Sequence, residues 1–227
     1  MCRYWTFVLV GLILPWTTTG QNLERATPES VGLSSTALEN ATAALRAHVN
    51  ASHIAGVVAA VARDGKLVYY ESLGQRDREN GDPMREDAIF RLYSMTRPIT
   101  STAVMLLWEQ GAFQLDDPVS RYLPQFSDQR GFMDPNTPDL ARTRSRQGDI
   151  TVRQLLTHTS GIGSRNSPIY RAEHVRLRSI TLPQLVDNAA RVPLFEEPGT
   201  RFRYGISTTI LGRLVEIWSG QPFQEFL

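Results

Sequence analysis

The chain has 227 residues, 41% of them hydrophobic and 21% charged, with a formal net charge of +1. That is the composition of a soluble protein with one or two domains and a core of ordinary size. Near-neutral charge gives no footprint for nucleic acid, and a lone cysteine, Cys2, excludes a disulfide framework.

Residues 1–20 read as a secretory signal peptide: Arg3, an apolar run from Tyr4 to Trp16, then the small and polar Thr17-Thr18-Thr19-Gly20. The run is too short for a membrane span, so the mature chain is expected to be secreted and to carry no integral span. Asn40-Ala41-Thr42 and Asn50-Ala51-Ser52 are acceptor patterns for N-glycosylation and agree with export. Ser34 then precedes an amphipathic helix over Ser35–Val49, with Leu38, Ala41, Leu45 and Val49 at three- and four-residue steps. Two β-branched and small-residue runs, Ile54 to Ala62 and Leu67 to Tyr70, flank Asp64-Gly65 and predict a hairpin. Lys66, the only lysine in the sequence, sits beside that turn and is expected to be solvated. Residues 74–87 read as a charged connection broken at Gly81-Asp82-Pro83.

The chemistry begins at Ser94-Met95-Thr96-Arg97. Pro98 belongs in a first helical turn, and apolar residues continue at helical spacing to Trp108, so a helix is expected from about Ser94 to near Gly111. Ser94 then stands at a helix mouth, where free backbone N–H groups favour developing negative charge. Arg97 lies one turn further on the same face. Leu115-Asp116-Asp117-Pro118-Val119 predicts a short helix with an aspartate cap. Residues 124–148 read as an exposed polar excursion in which Arg142, Arg144 and Arg146 are solvated. Short helices follow at Thr151–Leu156, Leu182–Ala190 and Ser207–Trp218, the last ended by Gly220, and another begins at Pro222. His158 has no G-x-S-x-G elbow to serve and reads as a structural loop residue. Ser160 reads as turn chemistry. His48, His53 and His174 lack metal-ligand spacing, and no phosphate loop is present, so neither a metal nor a cofactor is expected.

Four words now stand in order: Tyr93-Ser94-Met95-Thr96-Arg97-Pro98-Ile99-Thr100-Ser101, Leu115-Asp116-Asp117-Pro118-Val119, Leu155-Leu156-Thr157-His158-Thr159-Ser160-Gly161 and Pro198-Gly199-Thr200-Arg201-Phe202-Arg203-Tyr204. Together they resemble the serine β-lactamase and penicillin-binding-protein superfamily, in its β-lactamase-related esterase branch. The resemblance implies an α/β (α+β) fold of the β-lactamase/transpeptidase type. In it an antiparallel sheet is flanked by helices and joined to an all-helical subdomain, over residues 21–227. It implies Ser94 as the acyl-accepting nucleophile of an S-x-x-K-like motif and Tyr204 as the second proton-transfer group. Arg97 stands where the family has lysine, and Ile206 where its Tyr-x-Asn word ends. Arginine stays protonated and cannot take the serine proton. It supplies instead a fixed positive charge beside Tyr204, leaving the phenolate as base. The family's late Lys-Thr-Gly-like word has no counterpart and would lie beyond Leu227, with the strands that complete the sheet. The expected substrate is a small ester or amide, with Ile206 favouring carboxylic esters. A non-catalytic binding or scaffold relative, and a protein slowly acylated by β-lactams, are the alternatives.

Overall fold

The computed structural model describes residues 23–175 and 177–227, so the expected signal peptide lies outside the described residues. The chain divides into two compact units, residues 1–91 and 92–227.

The first unit is a small mixed sheet with one helix. Strand β1 (Glu24–Arg25) leads through a 3-10 turn into helix α1 (Ser35–Asn50). Ser34 caps α1 by accepting the Ala37 N–H, as a serine at that position should. Leu38, Thr42, Leu45 and Val49 form its half-buried face. Thr42 takes the place expected for Ala41, because its hydroxyl meets the Tyr69 hydroxyl at 2.9 Å.

Strands β2 (Gly56–Arg63) and β3 (Lys66–Asp77) form the expected antiparallel hairpin. Asp64 and Gly65 both hold positive φ, 51° and 72°. That is the primed-turn geometry matching strand twist, and it is why Asp-Gly stands there. Residues 74–77, expected in a connection, instead extend β3, because β4 (Asp82–Pro83) folds back to pair with Gln75 and Asp77. β1 runs parallel to β3, so the four-stranded sheet is mixed: β1-β3-β2, with β4 also on β3.

The second unit holds most of the core. A 3-10 turn (Tyr93–Met95) enters helix α2 (Thr96–Glu109), which buries Thr100, Ala103, Val104 and Leu107. Pro118 leads into a 3-10 turn (Val119–Arg121), but the Asp117 side chain does not cap it. The carboxylate reaches backward to the Gln114 N–H at 2.8 Å and forward to the Tyr122 hydroxyl at 2.6 Å. Those bonds hold the Asp117 carboxyl below the usual range. Burial, and then Asp117, push the Tyr122 phenol up to about 12.

Residues 124–148 are anchored rather than an excursion. Phe126 and Phe132 are fully buried, and β5 (Gly131–Phe132) pairs with β6 (Thr143–Arg144). Two of the three arginines expected in solvent are structural. Arg144 is paired with Glu197 and donates to the Phe132 carbonyl. Arg146 donates to the carbonyls of Phe126 and Ser127 at 2.8 Å and to Asp149. A guanidinium with several donors satisfies buried loop carbonyls that water would otherwise reach.

Helix α3 (Val152–Leu156) starts with a capping box between Thr151 and Gln154. Helices α4 (Pro168–Ala172) and α5 (Leu182–Arg191) follow, α5 with a second box between Thr181 and Gln184. Helix α6 (Ser207–Ser219) buries Ser207, Thr208, Ile210, Leu211, Gly212, Leu214 and Val215 and ends at Gly220 in the left-handed region. A helix apolar on most faces is an interior helix, and α2, α3, α5 and the closing α7 (Phe223–Phe226) all pack on α6. The centre of this unit is therefore α6, not α2, whose entry turn carries Ser94. Phe113 stacks on Trp218 at 3.9 Å, with Tyr122 edge-on at 5.4 Å. Among the described residues no helix is long and apolar enough to cross a membrane.

Candidate active site

Ser94, Arg97 and Tyr204 all lie in the second unit, where the interior position of α6 decides their arrangement. The chain enters α6 through Tyr204-Gly205-Ile206. Ile206, at the end of the Tyr-x-Asn-like word, is a buried core residue, 3% exposed. Its N–H donates to the Gly163 carbonyl at 3.1 Å.

The loop after α3 lines that entry with backbone bonds. The Phe195 N–H donates to the Gly161 carbonyl, Gly199 to Thr159 and Arg203 to His158, at 2.9, 2.8 and 2.7 Å. Two glycines allow the two segments of this ladder to lie so close. A Cβ on Gly161 would fall 2.1 Å from the Glu196 carbonyl oxygen, and one on Gly205 2.4 Å from that of Gly163. Ser160 is buried in the same loop, its hydroxyl 3.0 Å from that of Ser207 at the start of α6. The turn role expected for it is thus joined by a bond to the helix.

Ser94 is presented on the 3-10 turn before α2, exposed to solvent. The residue ahead of it, Tyr93, holds φ at 47°, a conformation that costs a bulky side chain energy and concentrates at functional turns. An N-cap role would be the ordinary structural use of a serine here. The N-cap of α2 is Met95, however, and no side chain caps it. The Ser94 hydroxyl is left free of that duty.

Arg97 crosses from the first turn of α2 to the first turn of α6. Its Nη1 donates to the Gly205 carbonyl at 2.8 Å and to the Thr208 hydroxyl at 3.1 Å. The guanidinium carbon lies 4.2 Å from the centroid of the Tyr204 ring, within cation–π range. The fixed charge expected beside Tyr204 is therefore present. It sits over the ring face, with its hydrogen bonds on Gly205 and Thr208.

Two neighbours were not among the expected site residues. Thr208 is one. The other is His158, whose ring centroid is 4.8 Å from that of Tyr204 and 5.9 Å from that of Phe202. Burial, and then the Arg97 charge, lower the affinity of His158 for a proton. Its word was visible in the sequence, but its partner lies 46 positions away in sequence and only the backbone ladder brings the two together. Among the described residues no group of acids, histidines or cysteines could hold a metal ion.

The Beta-lactamase family model matches residues 41–227, and the chain belongs to that family. Esterase EstB of Burkholderia gladioli is 37% identical over 180 residues, covering 74% of this chain and 42% of that protein. Monacolin J acid methylbutanoyltransferase of Aspergillus terreus is 32% identical over 202 residues, covering 81% of this chain and 46% of that one. Among solved structures, EstCE1, a hydrolase with promiscuous acyltransferase activity, superposes with a TM-score of 0.74 at 30% identity, over 84% of this chain and 49% of that chain. These matches carry the β-lactamase/transpeptidase-like fold class. The chain spans about half the length of the curated relatives it matches.

Proposed function

We propose that Ser94 is the nucleophile of an acyl-transfer site acting on small carboxylic esters, in a serine hydrolase or acyltransferase. One observation carries the reading. A serine free of helix capping stands on a strained turn, one helical turn before an arginine that contacts Tyr204. The Ser94 oxygen attacks the ester carbonyl carbon, the bond to the leaving alkoxide breaks, and the serine proton passes to that oxygen by way of Tyr204. Water or a second alcohol then attacks the acyl-serine and restores the hydroxyl. Esterase and acyltransferase relatives support both acceptors. Arg97 holds Tyr204 and the start of α6, and supplies positive charge near the developing oxyanion. From the signal-like residues 1–20 we also propose that the protein is secreted, with its mature chain starting near Gln21 and with Asn40 and Asn50, both exposed on α1, available to glycans.

The second reading, a non-catalytic relative, is favoured by Arg97 itself, since both described hydrogen bonds of its side chain go to structural acceptors. Intact-mass spectrometry of the natural full-length protein with a fluorophosphonate probe separates the two. One adduct mapping to Ser94, absent in Ser94→Ala, together with turnover of p-nitrophenyl butyrate, is the expected result. A complete chain that takes no adduct would overturn the catalytic reading. Acylation by a penicillin without ester turnover would point to β-lactam recognition instead.

A further inference from the structure

We propose that His158 is a positioning residue that fixes the Tyr204 ring by the shape of its own ring. The inference rests on the reading of Tyr204 as a proton-transfer group, and it assigns a role to a half-buried group which that mechanism leaves idle.

Three linked features place His158 there. Its backbone is in the left-handed region, φ 56°, a conformation histidine adopts more readily than most residues. That bend turns the carbonyl to accept the Arg203 N–H at 2.7 Å, one residue before Tyr204. It also leaves the imidazole against Phe202 and Tyr204, with centroids 5.9 and 4.8 Å away and planes tilted by 75° and 48°. Those separations are in the range of aromatic pair contacts. Meanwhile Arg97 lies over the same tyrosine at 4.2 Å, so the ring is contacted by a cation from α2 and by an imidazole from the loop after α3.

The nitrogens say which property of the imidazole matters. Nδ1 is fully buried and has no hydrogen-bond partner among the described residues. An orienting hydrogen bond through that nitrogen would need a partner there, so the contact with Tyr204 is made by the ring faces and edges. The flat ring, wedged beside Tyr204, is what the site uses. The groups facing it are the Tyr204 ring, the Phe202 ring and the Arg97 charge.

The test uses the full-length protein carrying 3-fluorotyrosine, with the Tyr204 fluorine resonance assigned by its loss in Tyr204→Phe. His158→Asn removes the ring yet suits the left-handed backbone, while His158→Phe keeps a ring. Thermal melts of both confirm folding. His158→Asn is expected to move the Tyr204 resonance and to slow fluorophosphonate labelling of Ser94 by about ten-fold or more, the effect of a misplaced group. His158→Phe is expected to keep the resonance and to label within about three-fold of the parent. An unmoved resonance in His158→Asn overturns the proposal. So does a His158→Phe that behaves like His158→Asn, because the role would then belong to the imidazole nitrogens. If the parent takes no label at all, the serine reading falls separately, and the fluorine resonance alone decides whether His158 holds the ring.

Discussion

The guanidinium of Arg97 does three things with one planar group: it lies over Tyr204, bonds the Gly205 carbonyl and bonds the Thr208 hydroxyl. An ammonium on a flexible stem is a point charge and reproduces such a combination poorly. What it adds is an ionisation, since a lysine amine shifts and titrates when partly buried and arginine does not. Arg97→Lys is therefore expected to loosen the start of α6 while giving the pH profile of Ser94 labelling an additional ionisation. Labelling measured across the pH range, at constant ionic strength, checks this. An unchanged rate and profile would show that the side chain at 97 has no special part in the chemistry. The same charge also bears on His158, as the lesser of two causes. With burial as the larger cause and Arg97 the lesser, the folded protein disfavours the imidazolium.

At the scale of elements, the approach of residues 195–206 to the loop after α3 is set by what is absent from two positions, Gly161 and Gly205. An alanine methyl at 205 would meet two backbone carbonyl oxygens, those of Gly163 at 2.4 Å and Ile162 at 2.6 Å. Neither can step aside as a flexible side chain would. Gly205→Ala is thus expected to cost about 1–3 kcal/mol, the usual range for overpacking. It should push Tyr204 off its place, which a lowered melting temperature together with slower Ser94 labelling would register. Full labelling would mean that the Tyr204 segment tolerates displacement. The helices themselves were legible because their signals are local. Thr151 with Gln154, Ser34 before α1 and Gly220 after α6 act within a few residues of where they stand. The packing of 124–148 was not legible. Phe126 and Phe132 are two apolar anchors in a stretch whose polar residues dominate any window, and the structural bonds of Arg144 and Arg146 run to carbonyls that sequence does not display. Nor could periodicity rank α6 above α2 as the interior helix. Both are apolar at helical spacing, and only the packing of several helices on α6 separates them.

Over the whole molecule the burial is uneven. Among the described residues the fully packed apolar side chains fall almost entirely in the second unit, and Val31 is the one buried hydrophobic residue of the first. Leu211, Leu214 and Val215 are completely enclosed in α6, whereas the strands of the hairpin are half-covered at most positions. Regions with few buried apolar contacts open at lower free energy than the core. Native-state hydrogen exchange of the full-length protein should therefore find its most protected amides in α6 and α2. Those of β2 and β3 are expected to exchange through a smaller opening. Hairpin amides as slow as those of α6 would show instead that the two units open together. The site words were readable in the sequence, yet their assembly needed contacts between positions as far apart as 97 and 208, which no local pattern encodes. The basic residues hold one more consequence. Within these 227 residues every basic side chain of the lysine-or-arginine kind is a guanidinium except that of Lys66, which opens β3 beside the hairpin turn. Among the side chains of these residues an amine-reactive dye, tether or resin would thus find a single one to couple, in the first unit, and no lysine in the unit that carries Ser94.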